Sequence, residues 1–146
     1  MAGRTRIQRI QDSESRVQNP ESTGGTRTRD FRSDLSERLL DFAVRVVALV
    51  PRLQRSATGR YMVGQLVRAA SSAGANFQEA CGAESRADFA HKMQVVLKEL
   101  RETEYWLKLV TRAKLVPADL LSEPLAEADE LIRIVVKSVV TAKSRP

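Results

Sequence analysis

The chain has 146 residues, of which 42% are hydrophobic, which is one domain's worth of chain with enough apolar material for a single core. Lys and Arg number 24 against 18 Asp and Glu, so the net charge of +6 suits an acidic partner without requiring one. The lone cysteine, Cys81, excludes a disulfide framework and a cysteine-built zinc site and fits a reducing cytoplasm.

Residues 1–30 carry only Ile7, Ile10 and Val17 as aliphatic residues beyond alanine, among Arg, Ser, Thr, Gln and Gly. Such a segment cannot bury enough apolar surface to offset the entropy of ordering, so it is expected to be a disordered basic tail. It lacks the continuous apolar stretch of a secretion signal, and Asp12, Glu14, Glu21 and Asp30 do not suit a transit peptide. The longest apolar run, FAVRVVALV at 42–50, is interrupted by Arg45 and is far shorter than the roughly 18 residues that span a bilayer, so no membrane contact is expected.

Four segments with helical spacing follow, and no strand-like alternation of useful length, so the domain over 31–143 is expected to be all-α. In the first, Leu35, Leu39, Phe42, Val46 and Leu49 fall on one line, with Leu40, Val44, Val47 and Val50 widening it, Ser33 as a cap and Pro51 as a stop. The second, about 58–83, aligns Met62, Leu66, Ala69, Ala73, Asn76 and Ala80. The third, about 86–113, aligns Met93, Leu97, Leu100, Glu104 and Leu107, with Ser85 as its cap. The fourth aligns Leu121, Leu125, Ala128, Ile132, Val135 and Val139, its regular part beginning near Glu123 because Pro124 lacks a donor. Short connections between long helices predict an antiparallel up-down-up-down four-helix bundle.

The second segment contains RAASSAGANFQEACG at 68–82, built largely from small residues. Gly64, Ser71, Ala75 and Gly82 keep the helical period, which predicts a side-chain-poor line for close helix approach; the alternative is a merely weak helix. Pairing the second and third segments through the turn near residue 85 predicts Trp106 beside Gly64, Arg68 beside Glu102 and Asn76 near Met93. Asn76 and Glu104 stand on otherwise apolar lines, where a buried Asn fixes register and a carboxylate needs a donor. A small-ligand pocket there would need a second positioned titratable group, and none is evident.

The pattern Ser72, Asn76 and Glu79, followed by Ser85, Asp88, Phe89 and Lys92 and then KELRETEYWL with Glu99, Glu102, Glu104 and Trp106, resembles one family of four-helix bundles. This is the 23S rRNA intervening-sequence protein family, distantly similar to the accessory protein of diversity-generating retroelements. The resemblance implies a small bacterial bundle that assembles with itself, as a ring of five in known relatives, and does not imply a known catalytic activity. For the retroelement relatives it also implies a basic surface that engages nucleic acid and a reverse transcriptase.

Charge is uneven along the chain. Between residues 42 and 78 stand Arg45, Arg52, Arg55, Arg60 and Arg68 and no acidic residue. In an up-down bundle the first and third loops share one end, where Arg52, Arg55 and Arg60 would join Lys108, Arg112 and Lys114. That end is the candidate RNA or DNA surface; the bland alternative is a solvated set of cations complementing helix C-termini. For base stacking only Tyr61 and Tyr105 lie nearby, and burial of Tyr105 would remove one of them. Arg86 and His91 resemble the Arg-x4-His motif of HEPN-type ribonucleases, but arginine is abundant here and the motif lies at the start of its helix. No phosphate loop, dinucleotide-binding glycine pattern, HExxH or nucleophile elbow is present, so no cofactor or metal is expected. The reading is a non-enzymatic, cytoplasmic homo-oligomer with a basic end for nucleic acid or a nucleic-acid enzyme. An adaptor that binds protein alone is the alternative.

Overall fold

A computed structural model describes residues 22–144. The chain divides into two units, 1–32 and 33–146. Of the expected tail, residues 1–21 lie outside the described residues, while residues 22–30 are helical, forming the start of α1 (Ser22–Val47). Ser33 therefore lies inside α1 and does not cap it.

In the second unit the periodicity becomes a bundle. Leu35, Leu39, Phe42, Val46 and Leu49 are buried along one side of α1 and its exit, as their spacing predicts. Leu40, Val44 and Val47 do not widen that buried stripe, since each is at least half exposed. Pro51 cannot donate to a preceding turn, so the helix ends at Val47 and the proline opens a one-turn helix, α2 (Val50–Leu53), whose Leu53 is buried. Ser56 caps α3 (Ala57–Cys81), its Oγ accepting from the Gly59 amide at 3.0 Å. Ser85 caps α4 (Arg86–Arg112) as expected, accepting from the Asp88 amide at 3.1 Å, while the Asp88 carboxylate accepts from the Glu84 amide at 3.2 Å. The last helix, α5 (Asp119–Ser144), starts four residues before the expected Glu123 and carries Pro124 buried inside it. Turn bonds from Leu120 to Pro117 and from Leu121 to Ala118 already set the helical path before the proline is reached.

One core joins the four long helices, with Phe42, Phe77, Leu66, Met93, Leu100, Leu107, Leu121 and Leu131 among its fully buried side chains. α3 packs against α4, α4 against α5 and α2 against α3, while α1 lies against α3 and α5. Arg38 grips both oxygens of Glu127 at 3.0 Å and reaches Glu130, and Arg45 pairs with Glu123 at 2.8 Å. Across α1 and α3, Gln78 donates to Ser36. Among the described residues there is no strand, and the arrangement is the up-down-up-down bundle that short connections favour.

The α3–α4 register agrees with the pairing rule at its charged position: Arg68 pairs with Glu102 and, at 3.4 Å, with Glu99. Three details depart from expectation. The line Gly64, Ser71, Ala75 and Gly82 faces outward, and a Cβ built on Gly64 would meet nothing within 4 Å, so Trp106 does not cover it. The small residues that allow close approach are Ala69, Ala70, Ala73 and Ala80, which are buried, and Gly74, which lies against Leu39. Phe77, not Asn76, occupies the buried line, and the Asn76 amide donates to the Ser72 carbonyl of its own helix at 2.8 Å, so it does not set the register. Similarly Thr103, not Glu104, is the buried polar residue of α4; its hydroxyl is satisfied by the Glu99 carbonyl at 2.8 Å.

Candidate nucleic-acid interface

The two connections that meet at one end of the bundle are α1–α3, carried by α2, and α4–α5. Arg52 lies in α2 and Arg55 in the turn that follows it, both exposed. Arg60, also exposed, bends back across the same turn to donate to the Gln54 carbonyl at 3.2 Å. This turn is tight: a Cβ on Gly59 would sit 1.9 Å from the Leu53 carbonyl oxygen, so only glycine lets α3 start this close to α2.

On the other connection, α4 ends in a Schellman motif. The Lys114 amide bonds to the Thr111 carbonyl at 3.1 Å and the Leu115 amide to the Val110 carbonyl at 3.3 Å. Lys114 takes the left-handed position usually given to glycine, with φ 54°. Arg112 occupies the last turn, where a cation complements the helix dipole. Thus Arg52, Arg55, Arg60, Arg112 and Lys114 gather at one end as their sequence positions require, and Lys108 stands one turn before that end. Among the described residues, Arg52, Arg55, Arg112 and Lys114 have no carboxylate partner.

The end is not uniformly positive. Lys108 is held by Glu104 at 2.8 Å, Arg45 by Glu123, and Asp119 opens α5 nearby. Between α1 and α5 an open groove of about 250 Å³ is lined by Arg45, Leu49, Arg52, Leu120, Glu123 and Pro124.

Beside this end lies an aromatic cluster. The ring of Trp106 meets Tyr61 edge-on at 6.5 Å and Tyr105 edge-on at 5.4 Å between centroids. Tyr61 is 67% exposed and Tyr105 59%, so Tyr105 is not buried and both rings reach water. The Trp106 indole donates to Glu102 at 3.4 Å, and Glu102 accepts from Arg68. The Arg68 guanidinium holds the Glu102 carboxyl below the usual carboxylate range, and Glu102 in turn raises Arg68.

The remaining motif residues play local parts. Ser72 supplies the carbonyl that Asn76 binds, Glu79 is exposed, and Glu99 shares Arg68. Arg86 and His91 lie on the first two turns of α4, at the opposite end of the bundle from the basic loops. Five positions apart, they stand about 140° from each other around the helix, a poor arrangement for gripping one phosphate. Among the described residues no group of His, Cys, Asp or Glu could hold a metal ion, and no helix is long and apolar enough to cross a membrane.

Lys98 and Arg101 escaped the sequence reading. Their signal was present, because Lys98, Arg101, Tyr105, Lys108 and Arg112 alternate steps of three and four, the same period that marks the core.

Comparison with known proteins agrees with this architecture. A search of the curated proteins finds no match. A crystal structure of a protein of unknown function from the S23 ribosomal protein family of Bacteroides thetaiotaomicron is 34% identical, with a TM-score of 0.66, over 72% of this chain and 97% of that one. The profile described as 23S rRNA-intervening sequence protein matches residues 33–137, which covers the helices from the buried part of α1 to most of α5. The chain therefore belongs to the 23S rRNA-intervening sequence protein family.

Proposed function

We propose that this protein is a non-enzymatic, cytoplasmic bundle that assembles with itself and presents its loop-bearing basic end to nucleic acid or to a nucleic-acid-processing partner. The observation that carries the reading is the gathering of Arg52, Arg55, Arg112 and Lys114 at one end, without carboxylate partners among the described residues. Cations left unpaired and exposed hold a counterion atmosphere that a phosphate backbone can replace, so binding weakens steeply as salt rises. Self-assembly repeats that end and multiplies its field. It is supported by Leu40 at 58%, Val44 at 60% and Val47 at 50% exposure, an apolar face of α1 that its own bundle leaves in water. The family resemblance suggests five copies and, through the retroelement accessory proteins, a reverse transcriptase as the kind of partner. The ribosomal name of the Bacteroides neighbour is in keeping with an RNA context.

Two measurements test this. Mass in solution should exceed that of one chain and fall to it when Leu40 and Val44 are both replaced by Ser. Labelled RNA or duplex DNA, titrated at rising salt, should bind with a steep slope. Replacing Arg52, Arg55 and Arg60 with Gln should flatten that slope by about 2 to 3 for a duplex. No binding at low salt by the intact oligomer would favour a protein-binding adaptor instead.

A further inference from the structure

We propose that the outer face of α4 is a track for single-stranded nucleic acid, with Tyr105 as its base-stacking platform. This rests on the nucleic-acid reading above and specifies the ligand class. Lys98, Arg101, Tyr105, Lys108 and Arg112 are all exposed and recur along one side of the helix for about 21 Å. The stripe runs into the basic end, so phosphate contacts continue from the loops onto the helix.

The acidic residues of α4 pair with one cation of this track, Lys108, and leave Arg101 and Arg112 without an ion pair among the described residues. Glu99 and Glu102 turn toward α3, where both hold Arg68, and Glu104 lies beside the stripe, bound to Lys108. In the middle stands a tyrosine 59% exposed, its ring braced against Trp106, which Tyr61 braces from the other helix. A ring fixed in place and wet on its remaining surface offers a π-face at small conformational entropy loss. Unpaired bases stack on such a face whatever their sequence, while paired bases are already stacked within a duplex. A phosphate-binding surface for duplex would gain nothing from the tyrosine.

The test uses the full chain, a fluorescein-labelled oligothymidylate, the matching oligouridylate and a hairpin duplex. Tyr105→Ala should weaken binding of either single strand about tenfold and leave the duplex unchanged, whereas Tyr105→Phe should bind like the parent. Lys98→Gln with Arg101→Gln should flatten the single-strand salt slope by about 1.4. Unchanged helicity by circular dichroism secures the comparison, since these side chains lie outside the core. If Tyr105→Ala binds single strands normally while the Arg52, Arg55 and Arg60 variant is impaired, the track is wrong and the basic end stands. Failure of the parent to bind any nucleic acid at low salt overturns both, and retention on phosphatidylserine vesicles without affinity for the oligonucleotides overturns them in favour of a lipid surface.

Discussion

Two glycines of α3 make opposite predictions for the same substitution. In Gly59→Ala the new methyl would lie 1.9 Å from the Leu53 oxygen, 2.8 Å from the Leu53 carbon and 3.0 Å from the Ser56 hydroxyl. The obstacle is backbone, so relief requires the α2–α3 turn to move by more than an ångström. Overpacking of this kind costs about 1 to 3 kcal/mol, and the shift also weakens the Ser56 cap, worth about 1 kcal/mol, against about 1 kcal/mol gained in helix propensity. The net loss is about 2 kcal/mol, or about 8 °C in midpoint temperature for a chain of this size. In Gly64→Ala the methyl meets nothing within 4 Å, so only the propensity gain remains, raising the midpoint by about 4 °C. Thermal unfolding followed by circular dichroism at several protein concentrations checks both and separates self-association from intrinsic stability. A neutral or stabilising Gly59→Ala would refute the close approach of α3 to α2.

Lys114→Gly should stabilise the fold by about 0.5 to 1 kcal/mol in urea denaturation, because an L-residue at φ 54° is held in the left-handed region, while Lys114→Val should destabilise it. Stability should also fall as pH drops through the carboxylate range. Asp88, held low by the Lys92 ammonium and the Glu84 amide, and Glu102, held low by Arg68, take up protons in the unfolded chain before they do in the folded one. Arg68→Gln removes the Glu102 part, so its urea midpoint should change less between neutral pH and roughly pH 3 than the parent's; an equal or greater change would contradict the assignment.

Several features were legible from residue types alone because they depend on neighbours a few positions away. Ser85 caps because a short hydroxyl side chain reaches the amide three residues on; Ser56 caps in the same way, although the sequence reading did not name it. The buried line of α1 follows from its spacing, and the charged Arg68–Glu102 contact follows from the length of the turn between α3 and α4. The basic end is likewise a matter of chain order, since loops one and three of an up-down bundle must share an end.

Other features depended on packing at a distance. Between Ala73 and Ala80 the helical period admits either Asn76 or Phe77, and the larger apolar side chain is the one buried. The same one-step ambiguity put Thr103 in the core and Glu104 beside Lys108. Small residues on α3 formed two periodic lines; alignment with Met62 and Leu66 marked Ala69, Ala73 and Ala80 for the core, but only packing showed that this line, and not Gly64, Ser71 and Ala75, takes the close approach of neighbouring helices. Nor does local sequence reveal that Gly59 is pressed by a carbonyl while Gly64 faces open space, or that Tyr105 stands in water against Trp106. By itself the sequence determined the four long helices, their order and the end at which the cations gather, though not the start of α1 at Ser22 or the one-turn α2, because hydrogen bonding and period act along the chain. Only the tertiary structure decided which adjacent line faces inward and which side chains remain free to meet a partner, because burial depends on the volume and backbone of helices far away in sequence.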